Sequence, residues 1–183
     1  MITRDEALRR VKQHVKNRNL VKHMIAVSAI MRGLADRLGE DLDLWEAMGM
    51  LHDIDYEEIG EDWDRHGLVS AEMVADVLPE DALHAIRAHN PRTGVEAESR
   101  MDVALLAADA LSGLVVATAL MMPDRKLATV KVRSLRRKFK DSSFARGVSR
   151  DQIKRCEGIG ISFEDFLALG LASMQAVSDE LSL

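Results

Sequence analysis

Apolar residues return every three or four positions through almost the whole chain. Leu20, Met24, Val27, Met31, Leu34 and Leu38 fall on one face of a helix. Leu8, Val11 and Val15 make an earlier stripe, Trp45, Met48 and Leu51 a later one, and Val69, Met73, Val74 and Val77 the next. Segments 80–89, 101–122, 130–139, 150–157 and 163–181 complete the predicted helices, and no run alternates apolar and polar as a strand would. The stops agree: Gly39 ends one helix, and Pro79 and Pro91 stand where helices begin or have just ended. Ser162, followed by Phe163, Glu164 and Asp165, offers an N-cap with acids in the first turn. The fold class is therefore all-α, a single domain over 1–183 with a core at 20–122 and a C-terminal helical extension at 123–183.

Composition narrows the class of protein. At 183 residues, 47% hydrophobic and 30% charged, the chain is long and apolar enough to bury a sizeable core. A net charge of −5 gives no global pull toward nucleic acid or anionic membrane, so nucleic acid is not an expected partner. One cysteine, Cys156, excludes an internal disulfide framework and a cysteine-rich zinc site, and suits a reducing cytoplasm. Residues 103–122 have the length of a membrane span, but Asp109 near the middle makes that placement costly; the segment reads as a buried helix with no membrane partner.

The histidines sort by the face they occupy. His14 lies between Arg10 and Arg18, and His84 beside Glu80, Asp81 and Arg87, both on wet faces. His23 is aligned with Leu20, Val27 and Ile30; His89 with Ala82, Ala85 and Ile86. His66 opens a helix whose inward positions follow at Val69, Met73 and Val77, and His52 ends an apolar approach beside Asp53. Four inward imidazoles need partners for their ring nitrogens. Asp109 lies among Leu105, Leu106, Ser112 and Gly113, on a segment with no lysine or arginine between Met101 and Met122. A buried carboxylate without a cation is costly, by ~1–3 kcal/mol or more. A divalent metal held by the inward histidines supplies that charge, where a metal-free His–Asp network is the competing account. Nitrogen and carboxylate ligands suit iron, manganese, nickel, cobalt or zinc.

His23, the doublet His52-Asp53 twenty-nine residues on, and then Asp109 resemble the H…HD…D signature of the HD superfamily of metal-dependent hydrolases. The stretch Leu51-His52-Asp53-Ile54-Asp55 is similar to the common HDIG form, with Asp55 in place of the glycine, a departure that touches the turn after the ligands. The likeness spans residues 20–120, and the whole chain resembles short bacterial HD hydrolases. It implies that His23, His52, Asp53 and Asp109 bind a first ion. In the binuclear branch two further histidines come between the doublet and the last aspartate, places that His66 and His89 fill. Asp53 would then bridge two ions and help activate water.

Two chemistries run on that scaffold. Most relatives hydrolyse phosphate esters, typically of nucleotides, while a minority resemble di-iron oxygenases such as myo-inositol oxygenase. The basic stretch from Lys126 to Lys140 reads either as a solvated face or as an anion surface, and it tilts the expectation toward a small phosphorylated substrate. Asn90, Arg92, Lys126, Arg133 and Arg137 are the candidate substrate contacts, and Asp55, Tyr56, Glu57 and Glu58 are placed to orient a water or relay a proton. A metal-stabilised module without turnover is the third reading. The apolar arc of 163–181 either closes the core or forms a homodimer seam, core packing being favoured.

Overall fold

A computed structural model describes residues 2–183, and among them there is no strand. Ten α-helices follow one another: α1 (Arg4–His14), α2 (Arg18–Leu38), α3 (Leu42–Leu51), α4 (Leu68–Val74), α5 (Glu80–Ala88), α6 (Arg100–Leu120), α7 (Val132–Lys140), α8 (Arg150–Lys154), α9 (Phe163–Ala176) and α10 (Ser178–Leu181). Short 3₁₀ turns at Pro91–Thr93, Leu127–Thr129 and Arg155–Ile159 link them.

Local chemistry sets the ends. Thr3 and Glu6 form a capping box for α1, and Ser99 and Asp102 form one for α6. Gly39 closes α2 at φ 73°, a left-handed conformation suited to glycine. Ser162 caps α9 by accepting from the Asp165 amide, as its sequence predicts.

The two longest helices organise the rest. α2 packs against α3, α6 and α9, while α6 also meets α5, α7 and α8. α6 is long and apolar enough to cross a membrane, yet 67% of its most apolar stretch is buried inside the fold. It is apolar nearly all round because neighbours cover most of it, leaving a half-buried stripe at Asp109, Gly113, Val116 and Ala117. The buried apolar cluster runs from α1 to α10 and includes Phe166, Leu167, Leu171 and Met174 of α9. Cys156 is fully buried, and burial pushes its thiol up to about 11.

Three sequence expectations need correction. The segment 163–181 is two helices, because Val177 leaves helical geometry at φ −113°, ψ 19°. The segment 150–157 tightens into a 3₁₀ turn from Arg155. The inward face of α4 is Ser70, Ala71 and Val74, while Val69, Met73 and Val77 are only half-buried. His66 does not open that helix: Gly67, at φ 88°, intervenes and breaks the helical phase.

Candidate metal centre

Six side chains from five places in the chain converge. α2 carries His23, and the C-terminal end of α3 delivers His52 and then Asp53. The loop before α4 brings His66, the C-cap of α5 is His89, and the middle of α6 carries Asp109. Five of them, all but the deeper His52, line a cavity of about 430 Å³ with Leu20, Tyr56, Asn90, Pro91 and Gln152.

Asp53 sits at the centre, 5% exposed. Its Oδ1 lies 3.2 Å from Nε2 of each of His52, His66 and His89, and its Oδ2 lies 3.4 Å from His23 Nε2. His23 Nε2 is also 3.2 Å from Asp109 Oδ1, and the Nε2 atoms of His66 and His89 are 3.2 Å apart. Ligand atoms of His23, His52 and Asp109 form one group that could hold an ion, and those of His52, Asp53 and His89 form a second.

The outer nitrogens explain this orientation. His52 Nδ1 meets the Gly49 carbonyl at 2.8 Å, and His89 Nδ1 meets the Ile86 carbonyl at 2.5 Å. A carbonyl can only accept, so both rings carry their proton on Nδ1. Ser112 donates to the Asp109 carbonyl and so accepts from His23 Nδ1 at 3.2 Å. His66 Nδ1 donates to Asp55 Oδ1 at 2.8 Å. Each ring can then turn an Nε2 lone pair inward, as hydrogen bonds to the outer ring nitrogen commonly arrange for metal ligands.

Lone pairs facing a carboxylate repel unless something positive lies between them. Protons meet part of that need. Burial pushes the His23 imidazole down, but Asp109 and Asp53 carry it up to about 10; for His66, Asp53 and Asp55 outweigh burial to the same value. His52 cannot follow, because burial, with His89 and His23 nearby, overrides Asp53 and holds it near about 4. It stays neutral, and its wholly buried Nε2 has no hydrogen-bond partner. A metal ion fits that atom where a proton does not. Burial raises the Asp53 carboxyl, but the surrounding imidazoles reverse this and hold it well below the ordinary range; His23 does the same for Asp109.

The expected substrate contacts fare differently. Asn90 lines the cavity, but its amide donates to the Trp63 and His66 carbonyls and its oxygen accepts from the Arg92 amide, so it clamps the loop instead. Arg92 pairs with Asp64 in solvent and is not on the wall. Arg133 and Arg137 line a separate surface depression on α7, and Lys126 is exposed outside the cavity. Glu57 binds the amides of Lys16 and Asn17, and Glu58 pairs with His14, so neither faces the site. Asp55 is fully buried and holds a histidine of the cluster from behind, off the cavity wall where a water or substrate would lie. Gln152 joins the wall from α8, a partnership no local pattern announces.

Gly67 permits the tight approach of His66 to His89. A Cβ there would meet the Ile86 carbonyl at 2.7 Å and the His89 ring at 3.1 Å.

Residues 20–114 also match a known family. Ribonuclease Y of Enterococcus faecalis (strain ATCC 700802 / V583) is 37% identical over 99 residues, covering 51% of this chain. The chain spans only 18% of that curated relative's length. No solved structure matches. The model of the HD domain covers 20–114, just over half of the sequence and every member of the histidine–aspartate cluster, and the chain accordingly belongs to the HD domain family.

Proposed function

We propose that this protein is a metal-dependent phosphohydrolase, with His23, His52, Asp53, His66, His89 and Asp109 holding two divalent ions and Asp53 bridging them. The observation that carries this is the buried, partnerless Nε2 of His52, aimed with three other ring nitrogens at one carboxylate. Such ions supply a water activated near neutral pH and positive charge for a phosphoryl group. The chain's own residues orient and enclose. Asp53 presents Oδ1 to three imidazoles and Oδ2 to the fourth, so both of its oxygens would be available to hold the ions. Asp109, about a third exposed, pairs with His23 on the cavity wall, where it would hold one of the ions. Tyr56 and Gln152 on the wall are the polar side chains placed to orient a substrate.

The substrate class is a small phosphate ester, nucleotides included. The relative named a ribonuclease supports phosphoester chemistry as the class. A polymeric nucleic acid is disfavoured by the net charge of −5 and by a cavity wall without lysine or arginine. That same bare wall is the observation favouring the di-iron oxygenase reading, since it selects no phosphate by itself.

One experiment addresses both. Protein loaded separately with manganese, iron, cobalt, nickel or zinc is assayed on p-nitrophenyl phosphate, its diester and nucleoside monophosphates, in air and under argon. Turnover should require an added ion, disappear with chelator and be the same without oxygen. Failure with every ion and ester would end the hydrolase reading.

A further inference from the structure

Among the four histidines, His66 is anchored differently. His52 and His89 each donate to the carbonyl three residues earlier, an acceptor that the end of their own helix provides. His23 leans on the hydroxyl of Ser112. His66 lies outside any helix, and its Nδ1 meets a carboxylate, Asp55, that is wholly buried. The other oxygen, Oδ2, accepts from the amides of Gly67 at 2.8 Å and Ser70 at 2.9 Å, while the Asp55 amide donates to Ser70 Oγ at 3.1 Å.

We infer that Asp55 is a positioning residue that sets the His66 tautomer, so that occupancy of the second ion position depends on this carboxylate. The inference rests on the two-ion reading above. Its logic is a count of donors. Oδ2 faces two N–H groups and must be an acceptor; Oδ1 faces one ring nitrogen and, as a carboxylate oxygen, obliges that nitrogen to be the donor. The proton is thereby kept on Nδ1, and Nε2, 3.2 Å from Asp53 Oδ1, is the ring nitrogen that would give up its proton to bind an ion. In Asp55→Asn the amide oxygen must take the place facing two N–H groups, which turns the NH₂ toward His66. The ring would then accept at Nδ1 and carry its proton on Nε2, closing the position to a metal. Asp55 stands where the common form of the motif has glycine, and here it supplies His66 with an anchor that no helix end offers.

The test is zinc stoichiometry by equilibrium dialysis and elemental analysis on four full-length proteins, with thermal melting of the chelated forms as the fold control. Wild type should hold two ions, His66→Ala one, Asp55→Asn one and Ser70→Ala two. Ser70→Ala removes the hydroxyl that accepts from the Asp55 amide but keeps every donor to the Asp55 carboxylate, so it separates structural damage from loss of the tautomer. Affinity of the Asp55→Asn protein for the second zinc should fall by about 10–100-fold. Two ions retained at wild-type affinity in Asp55→Asn would overturn the inference while leaving the two-ion reading in place. One ion in wild type would overturn the two-ion reading, and the role of Asp55 with it. Should Asp55→Asn not fold, nitrogen-15 spectra of histidine-labelled, zinc-loaded wild type decide: a His66 ring protonated on Nδ1 supports the inference, and one protonated on Nε2 refutes it.

Discussion

Among the described residues, two buried aspartates each hold a histidine Nδ1, and only one of the two histidines enters the cluster. Asp55 meets His66 at 2.8 Å, and Asp102 meets His84 at 3.0 Å. Each carboxylate also accepts two backbone amides, Gly67 and Ser70 in one case, Glu98 and Ser99 in the other. The rings diverge beyond that point. His66 is 12% exposed and turns its Nε2 into the cluster, whereas the His84 side chain is 36% exposed, and Asp102 serves the capping box of α6. A His–carboxylate pair is therefore no signature of a ligand by itself. What distinguishes the first pair is convergence with three other rings on Asp53.

The sharpest way to break this comparison is Asp53→Ala. It should abolish bound metal and reduce phosphoester turnover by about a thousandfold or more, measured by elemental analysis and p-nitrophenyl phosphate kinetics. A variant that keeps its metal would dissolve the distinction between the two pairs.

Next in size is pH. His23 and His66 are raised to about 10, so ions entering at neutral pH must displace their protons. Apparent affinity should rise with pH, by about tenfold per unit for each proton released, and level off only near 10. Titration calorimetry in buffers of different ionisation enthalpy counts those protons. The chelated protein should behave oppositely. The two raised imidazoles stabilise it fully below their ordinary 6.5 and lose that contribution as pH climbs to about 10, so its melting temperature should drop over that window.

A smaller effect is expected at the second pair. Asp102→Ala removes the capping-box acceptor and should cost about 1–2 kcal/mol in urea unfolding, with metal content unchanged. The smallest belongs to Arg133→Ala and Arg137→Ala, which should leave kcat/KM for phosphate esters at the wild-type value. A tenfold rise in KM would bring α7 into contact with substrate after all.

Much of the fold is legible in the sequence because helical burial repeats every three to four residues and caps are local. His52 and His89 are readable for the same reason: each terminates an apolar stripe, and the end of a buried helix points its last side chains inward. The errors share a cause as well. The phase of α4 is lost at Gly67, whose left-handed backbone uncouples His66 from the residues that follow. Asn90 and Arg92 sit close to a site residue in sequence, but their polar groups are spent on the loop 63–66 and on Asp64. The charge density of α7 is visible locally; its distance from the cavity depends on how α6, α7 and α9 pack, which no local pattern encodes. Gln152 was unreadable on the same ground.

The bare α-carbon of Gly67 has a consequence for how this site can drift over generations. The Ile86 carbonyl that a methyl group would strike is the same atom that holds His89 Nδ1. A single substitution there would push apart two rings that belong to different segments, without altering either of them. A residue with no chemistry of its own thus constrains the pocket from behind, because the room left beside its α-carbon is about that of one hydrogen atom.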